Sequence, residues 1–461
     1  MRKLSKHPSE SVWSIAALLL TLLLAACGPR TPTIDGGRLG MVRLFHPSDA
    51  AHALVIVFSD ADGWTNADDA AADHLASAGT IVAGVDLPGY LAILMADKSD
   101  CLYLVNDAER LSRTIERSLG LAVYQSPILA GVGEGGRLAL AMLQQAPPST
   151  LAGAAAVDPA AEIPTARHLC RQPPQDAGVP SAPGTEKQFI SFSGQAFSNG
   201  QAAGILAKLH EVGARPRVEP LVAASNPQGS LAALLMLHVL PATQSATAMT
   251  TLSDLPLIEL PGPPGAPLAV VLSGDGGWRD IDKQIAEALQ QAGYSVLGWD
   301  SLRYFWSAKS PEILGRDLGL ALAAYETRWH TSRILLVGFS FGADVLPFAF
   351  NRLPAGLRKR VQEISLLGYS GRADFEIQMT GWLGAPPSDA ALDAGPEMAH
   401  IDSGLIQCFY GSEEADSACP RLSGSKAEIV RLDGGHHLGG QYAEIARRIV
   451  SGAAERAAFM N

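Results

Sequence analysis

The sequence predicts an α/β protein of two tandem domains, each a mainly parallel sheet covered by helices on both faces. Three observations carry that expectation. Short apolar runs alternate with segments of helical spacing, the pattern of repeated βα units. The same motifs return in the same order about half a chain later. The length, 461 residues, exceeds what one core usually fills. An apolar fraction of 47% with 18% charged residues suits a folded chain and excludes wholesale disorder. With 35 Lys+Arg against 46 Asp+Glu and no basic block, the chain is acidic and poorly suited to holding nucleic acid by its phosphates.

The amino terminus reads as a targeting segment. Arg2, Lys3 and Lys6 form a positive region, and residues 13–26 are almost wholly apolar, long enough for a signal core and short for a bilayer span. The segment ends in Leu24-Ala25-Ala26-Cys27, which resembles a bacterial lipobox with Cys27 as the lipidated first residue of the mature chain. Residues 1–26 are therefore expected to be a lipoprotein-type signal peptide, and the mature protein to be periplasmic and anchored through Cys27. Residues 27–50 read as a linker. Cys101 and Cys170 remain in the first half, Cys408 and Cys419 in the second. An even number in an oxidising compartment points to disulfides. Three pairings are open, and the simplest puts one bridge in each half, with Cys408–Cys419 closing a short loop. There is no CxxC and no His/Cys cluster at zinc spacing, so neither a structural metal nor a cofactor is expected.

The repeat is explicit. Ala53 to Trp64 reads ALVIVFSDADGW, and Pro267 to Trp278, 214 positions later, reads PLAVVLSGDGGW. At the same offset IVAGVDLPGY, ending at Tyr90, matches SVLGWDSLRY, ending at Tyr304, so that Asp86 pairs with Asp300. PILAGVGEGGRLALAML then matches RILLVGFSFGADVLPFA at a slightly shorter offset. The chain reads as a tandem duplication, with domains over residues 51–245 and 267–461 and a connector rich in Pro and small residues over 246–266. Residues 171–188 read as a loop-rich insertion. In the second half, strands are expected at 268–273, 294–299, 333–338, 363–368, 405–410 and 428–432, and helices at 281–292, 311–328, 342–351 and 441–459.

The chemistry concentrates in that half. Gly338-Phe339-Ser340-Phe341-Gly342 is a G-x-S-x-G between an expected strand and an expected helix, the context of a nucleophile elbow. Its glycines allow the sharp turn to press against its neighbours. Acidic and histidine partners follow in the order this elbow requires. Gly411-Ser412-Glu413-Glu414-Ala415-Asp416 follows one strand, and Asp433-Gly434-Gly435-His436-His437 the next. A neutral histidine takes the serine proton while a carboxylate fixes its tautomer. Asp416 is preferred to Glu414 as the acid, and His436 to His437 as the base. Phe341 and Gly274 are expected to offer the N–H groups of an oxyanion hole. The loop of Gly274 lacks the Lys and Ser/Thr of a phosphate-binding P-loop. In the first copy Glu134 stands opposite Ser340, and no counterpart of the histidine pair is found. The fold class is thus two tandem α/β-hydrolase-like domains, the first degenerate and the second catalytic.

The segments LSGDGGWRDID, GWDSLRYFW, VGFSFGAD, GSEEADSACP and the terminal GGHH resemble those of the VirJ/AcvB family of bacterial virulence-associated exported proteins. The motifs lie within about residues 256–461, and the additional amino-terminal copy is similar to the longer, AcvB-like form. The resemblance implies a periplasmic hydrolase of lysyl-phosphatidylglycerol, with an aminoacylated phospholipid as its membrane partner. It also implies a link to type IV secretion components. For such a substrate Asp275 and Asp300 are candidates to meet the cationic lysyl group, a turn or cap being the plainer role for Asp300. Trp278, Tyr304, Phe305 and Trp306 are candidates for the mouth, although Trp278 suits the core equally. Residues 371–403 are long enough for a cap, with Trp382 and Leu383 as its apolar element. A general lipase or carboxylesterase would share the triad, and a non-enzymatic periplasmic adaptor would reuse only the fold.

Overall fold

Strands of the first half join in one sheet: β1 (Thr33–Asp35), β2 (Met41–Phe45), β3 (Ala53–Phe58), β4 (Thr80–Val85), β5 (Ile128–Val132), β6 (Gly153–Val157), β7 (Phe189–Ser193) and β8 (Arg215–Glu219). Their order is β1-β2-β4-β3-β5-β6-β7-β8. The computed structural model describes residues 31–146, 150–165, 167–170, 189–193, 215–219, 226–236, 252–331, 333–377 and 388–459. The signal segment with Cys27, the insertion at 171–188, and Trp382 and Leu383 lie outside the described residues. The second half builds β9 (Leu257–Leu260), β10 (Leu268–Leu272), β11 (Ser295–Trp299), β12 (Ile334–Phe339), β13 (Val361–Leu367), β16 (Ile406–Gly411) and β17 (Glu428–Leu432) into a sheet of order β17-β16-β13-β12-β10-β11-β9. A two-stranded ribbon, β14 (Arg372–Ala373) with β15 (Leu392–Asp393), occupies part of the expected cap.

The helices are α1 (Asn66–Ser77), α2 (Leu87–Met95), α3 (Val105–Ser118), α4 (Gly133–Gln145) and α5 (Pro227–Leu234) in the first half. The longer ones of the second are α6 (Asp280–Gln291), α7 (Pro311–Trp329), α8 (Phe341–Asn351) and α9 (Tyr442–Phe459), beside short turns such as Ser301–Tyr304. They explain why the inner strands such as β3, β5, β10 and β12 are apolar throughout, since both sheet faces are covered. In β10, Leu268, Val270 and Leu272 pack into a core with Leu314, Leu318 and Leu346 of α7 and α8. Ala269 and Val271 point the other way, into a core with Ile281, Ile285, Ile445 and Ile449 of α6 and α9. The two periods, two along the strand and 3.6 around the helix, meet on each face.

The duplication starts earlier than the sequence suggests. β2 pairs antiparallel with β4 and β9 antiparallel with β11, at matching positions: Arg43 faces Gly84, and Ile258 faces Gly298. The expected linkers at 27–50 and 246–266 therefore contain strands of the two sheets, β1 and β2 at one side of the first and the edge strand β9 of the second. Strands of three to five residues carry too few positions for alternation to register.

The halves also meet. Trp306 donates its Nε1–H to the Leu121 carbonyl at 2.9 Å, with the Arg117 guanidinium 3.9 Å from its ring centroid. Tyr124 of the first half lies in the core of the second, its ring 5.0 Å from that of Trp306. Disulfides join Cys101 to Cys170 and Cys408 to Cys419, one in each half. Among the described residues no helix is long and apolar enough to cross a membrane.

Candidate active site

The tight turn after β12 places Ser340 at the head of α8 with φ 52° and ψ −117°. Positive φ is strained for a residue with a side chain and is the mark of a nucleophile elbow. A Cβ at Gly338 would stand 2.5 Å from the Gly342 carbonyl oxygen, and one at Gly342 would overlap the carbonyl of Leu272 on the neighbouring strand. Both glycines of the motif are thus demanded by packing.

Ser340 Oγ lies 2.8 Å from His436 Nε2, and His436 Nδ1 is hydrogen-bonded to Glu414 Oε1. The chain of bonds runs through His436, as preferred from sequence, while His437 lies beside the Phe339 ring. The acid corrects the sequence expectation. Asp416 is exposed and reaches His436 only as a nearby charge. Glu414 reaches it because its backbone is tied into a turn, its N–H donating to the Gly411 carbonyl at 3.0 Å. Its second oxygen, Oε2, accepts the Gly411 N–H at 2.8 Å, which aims the longer side chain back at the imidazole.

The electrostatics agree with this assignment. The Glu414 bond raises the His436 pKa against the opposing effect of burial, and the charges of Glu414, Asp416 and Asp275 add to it. Burial works to raise the Glu414 carboxyl, but bonds from His436 and the Gly411 N–H carry it below the ordinary glutamate value. The Cys408–Cys419 bridge ties β16 to the end of the loop that carries Glu414. Replacing both cysteines by alanine is expected to cost about 3 kcal/mol, the loop-closure value for a ring of this size. Turnover should fall with it. Denaturant unfolding and steady-state kinetics on the same sample check both, and unchanged kcat would free the loop from this role.

Two residues that sequence reading missed support the site. Gly368, at φ 62°, leaves room for the imidazole: a Cβ there would stand 2.8 Å from His436 Cε1. Asp344, one turn into α8, accepts the N–H groups of Ser370 and Gly371 at 2.9 and 3.0 Å and the Ser370 hydroxyl at 2.8 Å, fixing the loop after β13. Burial pushes its carboxyl up to about 7. An acid on an otherwise apolar helix face was its available signal.

Several expected mouth residues belong to the fold instead, and the first half proves it by making the same contacts. Trp278 is buried over Gly298 as Trp64 lies over Gly84, where a Cβ would strike the indole. The Tyr304 hydroxyl donates to Asp317 Oδ2 at 2.7 Å, as Tyr90 donates to Asp107 Oδ2 at 2.7 Å. Asp300 caps its short helix by accepting the Arg303 N–H at 3.1 Å, as Asp86 accepts that of Gly89. Phe305 and Trp306 are also fully buried. Asp275 alone of the binding candidates stays half-buried beside the triad, close enough to His436 for their charges to interact.

The first half also revises two backbone assignments. At its elbow Gly133, not Glu134, occupies the place of Ser340, with φ 55° against 52°. A Cβ at Gly131 would stand 2.5 Å from the Gly136 nitrogen, and one at Gly135 would overlap the Phe58 and Ser59 carbonyls, repeating the contacts of Gly338 and Gly342. The sequence match is one position out because this elbow needs glycine at one more site. Asp60, in the place of Gly274, folds its carboxylate over Gly133 and accepts the N–H groups of Ala61 and Glu134 at 2.8 and 2.9 Å. Those two N–H groups correspond to Asp275 and Phe341. The Gly274 N–H faces the buried carboxyl of Asp282 instead.

Residues 266–457, somewhat less than half of the chain, match the family model described as bacterial virulence protein (VirJ). No curated protein matches the sequence. Among solved structures the chain is similar to Est1E from Butyrivibrio proteoclasticus with ferulic acid bound (13% identity, 44% of this chain and 96% of that one, TM-score 0.32). It is also similar to the thioesterase domain from the curacin biosynthetic pathway (16% identity, 42% and 94%, TM-score 0.30). A third is the naproxen esterase of Bacillus subtilis (15% identity, 42% and 86%, TM-score 0.28).

Proposed function

We propose, for a chain whose residues 266–457 form a VirJ domain, that the second half is a cell-envelope serine hydrolase cleaving the aminoacyl ester of lysyl-phosphatidylglycerol. The observation that carries the reading is the bonded chain from Ser340 Oγ through His436 to Glu414 at a strained strand–helix turn. His436 Nε2 takes the Ser340 proton as Oγ attacks the lysyl carbonyl. The N–H groups of Phe341 and Asp275 receive the oxyanion, being the counterparts of the Glu134 and Ala61 N–H groups that hold the Asp60 carboxylate in the first half; Asp275 replaces the expected Gly274. Each such donor contributes about 10²–10³-fold in rate. Collapse breaks the ester bond, His436 returns the proton to the glycerol oxygen, and phosphatidylglycerol leaves. Water then attacks the lysyl-enzyme with His436 as base, releasing lysine and restoring Ser340.

The choice of a cationic acyl group is supported by charge. Asp275 and Asp416 act on His436 as negative charges, and Glu413 lies beside Gly435, the residue before that histidine, while Arg113 and Arg279 offset part of the Asp275 charge. The lipobox-like leader supports a periplasmic, membrane-anchored protein, and the family match supports a role in virulence; a link to type IV secretion components rests on the sequence resemblance alone. The test is the leaderless protein incubated with vesicles containing lysyl-phosphatidylglycerol, following lysine, phosphatidylglycerol and fatty acid. Lysine and phosphatidylglycerol rising together is the expected result. Fatty acid release would make the protein a lipase, and silence on this lipid and on simple esters would leave an adaptor.

A further inference from the structure

We propose that α3 of the first half is a working part of the second half's site, where Glu109 and Arg113 hold the loop of residues 274–279 in the shape that presents the Asp275 N–H. This rests on the hydrolase reading above. The loop contains Gly274, Gly276 and Gly277, so its backbone has more freedom than a donor to a transition state can tolerate. Within its own half it is held by the Gly277 N–H on the Gly274 carbonyl at 3.1 Å and by the Ser273 hydroxyl on that same oxygen at 3.1 Å. The buried Trp278 ring over Gly298 and the Arg279 carbonyl, which accepts the Lys283 N–H at 2.9 Å, anchor its far end in the same half. The Gly276 carbonyl and the Arg279 side chain are gripped from the other half.

There Arg113 Nη2 donates to the Gly276 carbonyl at 3.4 Å, and Arg279 Nη2 donates to Glu109 Oε2 at 2.9 Å. Glu109 and Arg113 lie one turn apart on α3, both buried, with Arg113 Nη2 3.5 Å from Glu109 Oε1. Burial raises the Asp275 carboxyl above its ordinary value, and the guanidinium of Arg113 is the foremost charge acting the other way. Burying such a pair is expensive, and its best-attested use is to fix one arrangement among several. The surrounding contacts keep α3 in register. Arg117 donates to the Ile377 carbonyl at 2.7 Å and pairs with Glu376 at 3.1 Å, and Arg303 Nη2 donates to Ser126 Oγ at 2.8 Å. A domain without its own nucleophile thereby serves as the fixed side of its neighbour's oxyanion hole. Glu109 and Arg113 are positioning residues, acting through the loop rather than on substrate.

The test uses the full leaderless chain, p-nitrophenyl butyrate as substrate, and a fluorophosphonate to time acylation of Ser340. Glu109→Gln and Arg279→Gln are each expected to lower kcat about 10- to 100-fold, the scale of a sub-ångström misplacement, with KM within about twofold. Fluorophosphonate labelling should slow in proportion. Arg279→Lys should recover part of the loss, and the double glutamine variant should be no worse than the poorer single one, because the two act on one contact. Arg279 is on the accessible side of the pair, so its variants keep the test valid should Glu109→Gln fail to fold. Unchanged kcat, or a rise in KM alone, would overturn the positioning role while the hydrolase reading stood. A wild-type protein that neither turns over ester nor takes the label would overturn both.

Discussion

Ser340→Ala is expected to lower kcat/KM by at least about 10⁴-fold, because no covalent intermediate can form and only the oxyanion donors and binding remain. Stability should barely change. The serine side chain makes no capping bond to α8, and its strained backbone is held by the Ser340 N–H on the Leu367 carbonyl at 2.8 Å, which alanine keeps. Steady-state turnover and thermal melting on the same preparation separate the two effects. Lysine release that survives in the variant would remove Ser340 from the mechanism and, with it, the reading of the site.

Glu414→Gln should lower kcat by about 10³–10⁴-fold, as expected when a histidine loses the carboxylate that sets its tautomer. Its second signature is in pH. His436 must be neutral to accept the serine proton, and Glu414 raises its pKa. The acidic limb of kcat/KM in the native protein therefore lies above the ordinary histidine value of about 6.5. Removing the carboxylate charge favours the neutral ring, so the limb moves to lower pH even as the plateau falls. Asp416→Asn should move it the same way by less and leave the plateau within a few-fold, since Asp416 acts only through its charge. The reverse ranking of the two variants would restore Asp416 as the acid.

Much of this was legible in the sequence. The strands and helices of the second half fall within a few residues of their expected bounds, because strands buried on both faces and helices with one apolar stripe leave plain periods. The elbow was legible because the turn needs small residues at Gly338 and Gly342 whatever else varies. The acid was not. Glu414 and Asp416 share one loop, and which reaches the imidazole depends on how Gly411 turns the chain, a matter of a few backbone bonds. Trp278 and Tyr304 misled for a different reason. An aromatic residue near a strand end looks the same whether it faces solvent or a glycine on the next strand. The clue lay in Gly84 and Gly298, present in both copies opposite the tryptophans. The contact of α3 with the neighbouring half had no sequence signal, since a buried Glu109–Arg113 pair is indistinguishable there from an exposed one.

The Asp60 carboxylate has a consequence for the history of the chain. Restoring a serine at Gly133 alone would drive its Cβ into that carboxylate, at a backbone angle already unfavourable to side chains. Exchanging Asp60 for glycine alone would empty the pocket and leave nothing to react. Neither single step yields a catalyst, and even both together lack a base. Activity in the first copy would therefore require several substitutions that depend on one another.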